Sequence, residues 1–349
     1  MPTSDSTNRN IYQGNGTPRE NIELPPAPSW RQFRDDAAGA AQQQQLKGEN
    51  FKPPDVAIEM VNAALALRRP LLITGNPGTG KSSLAYAVAR ELGLGTVLKW
   101  AITTRTTLKD GLYNYDAIAR LQDAQASQKD NRKETGNYIT LGALGTAFLP
   151  DDLPRVLLID EIDKSDIDLP NDLLNLFEDG EFPIPELQRL ELATADIRTI
   201  DRKDGKQRKV TVLDGIVRCR SFPLVIMTSN GERDFPPPFL RRCLRLKMPN
   251  PSPTELQEIV EKHLGAEAAE QSKQLIKWFC AQIESGGTLA TDQLLNAIHL
   301  RTQEKTQEKT QEKTRKKTQA KTSSDDALTL TLTELEKRLL KDLSSPEET

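Results

Sequence analysis

Apolar side chains along this chain recur with two rhythms, and the way the rhythms alternate predicts a layered α/β domain. Short apolar runs at Leu71–Thr74, Thr96–Ala101, Val156–Asp160, Leu224–Ser229 and Leu244–Lys247 have the length and density of strands in a buried parallel sheet. Elsewhere the spacing changes to three and four residues. Val56, Met60, Ala63, Ala64 and Leu67 predict a helix ahead of the first run, and Leu84 to Leu92 predict one behind it. Leu173, Leu174, Leu176 and Phe177 predict another behind the third run. Strands and helices taking turns in this way build a parallel sheet covered by helices on both faces.

About fifty residues separate the second run from the third, more than one crossover helix needs, so something is inserted there. The insert holds a helical segment around Tyr113 to Leu121, a polar stretch from Ser127 to Asn137, and Tyr138 to Gly142. Lys209–Val212 and Gly215–Val217 are β-prone and predict hairpins ahead of the fourth strand. Beyond the fifth, Ser252-Pro253-Thr254-Glu255 is a capping box with proline at the first helical position, and helices are expected at 253–264, 267–284 and 291–300.

The two ends have different compositions. Residues 1–50 are rich in Ser, Asn, Gln, Pro and Gly and predict a mostly disordered lead-in. Trp30 and Phe33 interrupt it with two readings, an anchor on a neighbouring subunit or docking on the chain's own core. Residues 302–321 repeat Thr-Gln-Glu-Lys with a period of four and without a large apolar side chain, a solvated spacer. Past it, Leu332, Leu335, Leu339 and Leu343 line one face of a helix. The expected organisation is a lead-in over 1–50, an αβα core over 51–250, a helical region over 251–300, a spacer over 301–326, and a last helix over 327–349 placed to complete that helical region.

Composition narrows the function classes. Lys and Arg number 47 against 50 Asp and Glu, a formal net charge of −3, so no overall field favours nucleic acid or an anionic membrane. No apolar run approaches the span of a bilayer, and no basic-then-apolar leader opens the chain. Both point to a soluble cytoplasmic protein without a membrane partner. Cys219, Cys243 and Cys280 are widely spaced, and with two histidines they assemble no zinc set; they read as buried thiols.

Candidate chemistry concentrates at the ends of the predicted strands. Gly75-Asn76-Pro77-Gly78-Thr79-Gly80-Lys81-Ser82 follows the first run and leads through Ser83 into a helix, the strand, loop and helix order of a phosphate-binding loop. Glycines let the backbone aim its N–H groups at phosphate oxygens, Lys81 reaches the β- and γ-phosphates, and the Ser82 hydroxyl ligates Mg2+. The helix start adds a positive dipole end. The third run ends in Asp160-Glu161: Asp160 suits Mg2+ through its water shell, and Glu161 suits polarisation of an attacking water. Beside a phosphate loop, this pair reads as the second half of a site that hydrolyses a nucleoside triphosphate with Mg2+. The expected fold class is a P-loop NTPase, a three-layer αβα sandwich around a parallel five-stranded sheet, with a C-terminal helical lid.

Together with Asn230 at the end of the fourth strand and Leu240-Arg241-Arg242 ahead of the fifth, these motifs resemble the AAA+ ATPases over about residues 51–300, most of all the MoxR branch. That likeness rests on the insert from Thr104-Arg105-Thr106-Thr107 through Leu121, on the hairpin-like region before Asn230 and on Phe239-Leu240-Arg241-Arg242 after it. It implies that Asn230 is a sensor positioning the attacking water. It implies that Arg242, with Arg241 as the fallback, is an arginine finger offered to the neighbouring subunit's γ-phosphate. It further implies ATP hydrolysis that remodels or activates a partner protein from a homo-oligomeric ring, a hexamer, the partner carrying a von Willebrand factor A domain. Where the family has a second sensor arginine opening the last lid helix, this chain has Thr291-Asp292-Gln293, which leaves that role to Arg301 or another residue.

Two other classes share the motifs. A nucleic-acid motor or restriction-type GTPase is disfavoured, because the guanine-selecting Asn-Lys-x-Asp motif is missing and the core has no dense basic stripe. A nucleotide-dependent switch with little turnover has no need of Glu161, although Thr291-Asp292-Gln293 in place of the second sensor arginine argues slightly for it.

Overall fold

The computed structural model describes residues 27–28, 30, 37–126, 131–203, 206–302 and 339–340. Two compact units divide the chain, Asp35–Asn250 and, separately, Pro251–Thr349 with Met1–Arg34. In chain order the first unit contains α1 (Ala37–Asn50), α2 (Asp55–Leu67), β1 (Leu71–Thr74), α3 (Lys81–Glu91), β2 (Leu98–Ala101), α4 (Leu108–Leu112), β3 (Tyr113–Tyr115), α5 (Ala117–Ala126), β4 (Ile139–Leu141) and α6 (Ala143–Ala147). It continues with β5 (Val156–Asp160), α7 (Leu169–Asp179), β6 (Glu181–Pro183), α8 (Pro185–Gln188), β7 (Thr194–Lys203), β8 (Lys206–Leu213), β9 (Ile216–Arg218), β10 (Leu224–Ser229), α9 (Pro237–Arg242) and β11 (Leu244–Lys247).

The five expected strands form one parallel sheet in the order β11-β1-β10-β5-β2. Successive residues of each strand point to opposite faces, and the core divides accordingly. Leu71, Ile73, Val156, Leu158, Leu224 and Ile226 pack with residues of α2 and α3. Leu72, Leu157, Ile159, Val225 and Met227 pack with Leu144 of α6 and Leu173 of α7. That is the expected three-layer αβα sandwich, and each of these strand residues is buried, so truncating one to alanine costs about 2–5 kcal/mol. The register sets Thr74 beside both Ser229 and Lys247, and Ala101 beside Asp160, so all five C-terminal ends meet at one edge.

A second, mixed sheet runs β3-β4-β7-β8-β9-β6. The hairpin expected near Lys209–Val212 is the antiparallel β7–β8 pair. One face of this sheet, including Ile139, Leu141, Phe182, Ile197 and Val212, closes over the α6 and α7 side of the core. Its root is tied by ion pairs: Arg155, just ahead of β5, bonds Asp201 at 2.9 Å, and Arg208 of β8 bonds Asp151 through both oxygens at 2.6 and 3.1 Å.

Several expectations need correction. Residues 37–50, expected in a disordered lead-in, form α1. It is held by tertiary contacts that composition does not encode. The Gln44 amide brackets the backbone of Val97, accepting from its N–H at 2.9 Å and donating to its carbonyl at 3.4 Å, and a Cβ at Gly48 would stand 2.6 Å from the Tyr86 carbonyl. In α2 the buried stripe is Ala57, Val61 and Ala64 with Met60 packed alongside, while Val56 and Leu67 are exposed, so the predicted stripe is only partly the buried one. Tyr113, expected in a helix, begins β3, pairs with Leu141 and donates its hydroxyl to Glu186 at 2.7 Å.

In the second unit, α10 (Pro253–Leu264) opens on the expected capping box, Ser252 Oγ accepting from the Glu255 N–H and Glu255 accepting from the Ser252 N–H. The single helix expected over 267–284 is two, α11 (Ala266–Gln271) and α12 (Lys273–Glu284), broken where buried Ser272 leaves helical geometry with φ −106° and ψ 6°. A last helix covers 291–302. Leu256, Val260, Leu275, Phe279, Leu294 and Ile298 make the core, and Leu340 is buried among them with Leu339 alongside. The repeat and Leu332, Leu335 and Leu343 lie outside the described residues, as does Phe33. Trp30 follows the local-docking reading: its ring meets His263 and His299 edge-on, and its N–H donates to Asn296 at 3.3 Å. No helix among the described residues is long and apolar enough to cross a membrane.

Candidate functional site

The glycine-rich loop leaves β1 and ends at the N-terminus of α3, whose eleven residues begin with Lys81, Ser82 and Ser83. Gly75, Gly78 and Gly80 have φ of 146°, 78° and 84°, values that side-chain-bearing residues rarely adopt. Space excludes a side chain too: a Cβ at Gly80 would stand 2.2 Å from the Phe51 ring. Thr79 closes the turn by donating to the Asn76 carbonyl at 2.9 Å, and the Asn76 amide donates to Asn250 at 3.1 Å, with Pro77 between them. Lys81 is buried, and its ammonium donates to the carbonyls of Gly75 and Asn76 at 2.7 and 2.8 Å.

Beside the loop, the register brings the ends of β5 and β10 together. Asp160 Oδ1 accepts from the Ser82 hydroxyl at 2.6 Å and from the Thr228 hydroxyl at 2.8 Å. Thr228 also accepts from the Glu161 N–H at 2.9 Å, so one buried hydroxyl joins both acids to the neighbouring strand. Glu161 turns off the strand with φ 62° and ψ 50°, a left-handed backbone that costs a residue with a Cβ about 1–2 kcal/mol. The turn frees its carboxylate from the sheet, where Lys164 donates to it at 2.9 Å. Buried Asp163 then reaches across to β10, its Oδ2 accepting from the backbone N–H groups of Asn230 at 2.8 Å and Glu232 at 3.1 Å. Its other oxygen, Oδ1, is buried and has no partner.

Charge is concentrated here. Burial pushes the Lys81 ammonium below its ordinary range, although Asp163, Asp160 and Glu161 pull the other way. Burial alone would push the Asp160 carboxyl up, but hydrogen bonds from Lys99, Ser82 and Thr228 outweigh it and hold the acid below the usual range. The residues therefore suit a polyphosphate with a divalent cation: positive-φ loop and helix start for the phosphates, Lys81 for their charge, and the Ser82 hydroxyl with Asp160 for the metal. When bound, Mg2+ would supply charge neutralisation on the phosphate oxygens.

The structure thus gathers Gly75 to Ser83, Asp160, Glu161 and Asn230 at one sheet edge. It does not gather Arg241 and Arg242 with them. Arg242, at the end of α9, donates through Nε to Glu178 of α7 at 2.6 Å, and Arg241 beside it is exposed. Arg301 lies in the helix over 291–302, in the other unit. Thr228, Asp163 and Lys99 were missed by sequence reasoning. The spacing Asp160-Glu161-Ile162-Asp163 was the available sign of Asp163; only the cross-strand register reveals Thr228 and Lys99.

Residues 70–243 match the family described as AAA domain (dynein-related subfamily). No curated protein matches the chain. Among solved structures it is similar to one described as a "putative ATPase" from Cytophaga hutchinsonii, at 12% identity and a TM-score of 0.35, covering 64% of this chain. The match spans 58% of that chain.

Proposed function

With an AAA+ ATPase domain over residues 70–243 as the premise, we propose that the chain hydrolyses ATP with Mg2+ and uses the cycle to remodel or activate a partner protein from a homo-oligomeric ring. The carrying observation is that Thr228 and Asp163 fasten Glu161 and the Asn230 loop beside Asp160, each through a backbone N–H. A site that only held nucleotide would need the loop, Lys81, Ser82 and Asp160. An acid set in a left-handed turn next to a polar amide is a device for the transition state, where water must be polarised and held in line. Glu161 is the group that polarises the water and Asn230 the group that orients it.

Arg242 completes the neighbouring subunit's site in this reading, with Arg241 as the alternative. Support comes from its partner, Glu178 on α7, which leaves the guanidinium about half exposed on the outside of the core. Six subunits, a cytoplasmic setting and a partner with a von Willebrand factor A domain complete the reading, resting on the MoxR likeness; the three unpaired cysteines agree with a reducing compartment. The test is Glu161→Gln held in ATP. Expected are a ring by solution mass measurement and a co-purifying partner that is released when ATP is removed. A wild-type protein without ATPase activity, or a Glu161→Gln protein that binds ATP yet stays monomeric, would overturn the proposal.

A further inference from the structure

Asp160 Oδ1 is shared by two hydroxyls, but Oδ2 has one partner, the Lys99 ammonium at 2.6 Å. The acid end of this pair is mostly buried, while the Lys99 side chain is 45% exposed. β2 pairs with β5 so that Lys99 lies beside Leu158 and Ala101 beside Asp160, and the lysine reaches along the strand to the carboxylate. Leu98 and Trp100 on either side of it are buried, which fixes the strand from which it reaches. Asp160 is only 13% exposed, and Lys99 covers its remaining polar edge. On α1 a second cation lies nearby, the Lys47 ammonium over the Tyr86 ring at 5.4 Å. The loop, Lys81 and Ser82 already account for phosphate and metal binding, and none of them needs a second lysine here.

We propose that Lys99 is a positioning residue for the metal site, a tethered ammonium that orients the Asp160 carboxylate and tunes its hold on a divalent cation. The inference rests on the proposed ATP-Mg2+ site and deepens it. An ammonium on Oδ2 neutralises part of the charge that would attract the cation's water shell, so metal affinity is lower than the Ser82 and Asp160 pair alone would give. Without metal, the same ammonium pairs directly with a mostly buried carboxylate that Lys81 and Lys47 reach only through the longer-range field.

The test compares wild type with Lys99→Met, which keeps the stem and removes the charge, and Lys99→Arg, which restores it. Mn2+ titration with ADP present, read by the paramagnetic signal of free Mn2+, should show about tenfold tighter binding in Lys99→Met and near-wild-type affinity in Lys99→Arg. Thermal melts in chelator should show Lys99→Met below wild type, with the gap closing when Mg2+ and ADP are added. Normal ADP binding with unchanged or weaker Mn2+ affinity in Lys99→Met would overturn this inference alone. Failure of the wild type to bind nucleotide at all would overturn the ATPase reading and this inference together.

Discussion

In the parallel sheet the strands are covered on both faces, and their polar residues gather at the C-terminal ends; in the mixed sheet one face is wet, and charges are distributed along the strands. β10 is buried over its whole length and delivers Thr228, Ser229 and then Asn230 at its tip. β8 is buried only in part and carries Arg208 midway, committed to Asp151 and Asp201. The first arrangement leaves strand-end groups free to meet a ligand, because packing already fixes the strand. The second consumes its charges in fixing the sheet. Substitutions at the ends of the parallel strands should therefore change chemistry with little loss of stability, and substitutions in the mixed sheet's ion pairs should do the reverse.

The largest expected effect separates two residues of the first kind. Lys81→Ala should abolish nucleotide binding, since Lys81 neutralises ground-state phosphate charge, while Glu161→Gln should bind normally and lose about 10²–10⁴-fold in turnover. Calorimetry and phosphate release on both proteins decide it. Equal loss of binding in both would remove the distinction between the two roles.

Arg242 sharpens the comparison, because it lies outside the strand-end cluster yet is assigned to the transition state. Arg242→Ala should bind ATP normally and hydrolyse it about 10³-fold more slowly. Mixing it with Lys81→Ala under subunit exchange should restore activity at interfaces that pair the intact Lys81 of one chain with the intact Arg242 of the other. Proven mixed rings that stay inactive would mean that the site is complete within one chain or that the finger is another residue.

How much of this was legible in the sequence follows the same division. The parallel strands were readable because burial on both faces demands dense apolar runs, and the loop because few residues other than glycine fit its backbone. β2 begins at Leu98 instead of Thr96, with the Val97 backbone just ahead of it held by Gln44. The mixed sheet was readable only as β-prone segments, because β3, β4, β6 and β9 have three residues each and periodicity needs more. α1 was illegible because alanines and glutamines carry little amphipathic signal, and its close packing on α3 relies on small residues such as Gly48. Asp163 and Lys99 look like ordinary surface charges until the register places them.

Asp163 is a middle case, a buried acid whose work is mechanical. Asp163→Ala removes the acceptor for the Asn230 and Glu232 N–H groups, and is expected to lower turnover about tenfold or more with nucleotide affinity nearly unchanged, at a stability cost of about 1–3 kcal/mol. Asp163→Asn keeps an acceptor oxygen and should recover most of the turnover. If asparagine is as damaging as alanine, the charge of Asp163 near Lys81, and not its hold on the loop, is what matters.

The smallest effect belongs to the mixed sheet and tests the other half of the comparison. Burial pushes the Asp201 carboxyl up, but hydrogen bonds from Thr199 and Arg155 outweigh it and hold the acid below its ordinary range. At Asp151 the hydrogen bonds from Arg208 lead, and they hold that acid low as well. A carboxyl depressed in the folded state contributes stability that is fully present above its unfolded value, about 3.9, and is lost as pH falls through its lower folded value. Asp201→Asn should therefore lower stability at pH 7 by about 1–3 kcal/mol, a fall of several degrees in Tm for a unit of this size. The gap between the two proteins should narrow as the melts are repeated towards pH 4 and below, because the wild-type acid becomes protonated and resembles the amide. ATP affinity and turnover at pH 7 should not change, since no strand-end group touches Asp201. A gap independent of pH would assign the loss to packing instead of charge, and a fall in turnover matching that of Asp163→Ala would mean that the mixed sheet takes part in the chemistry.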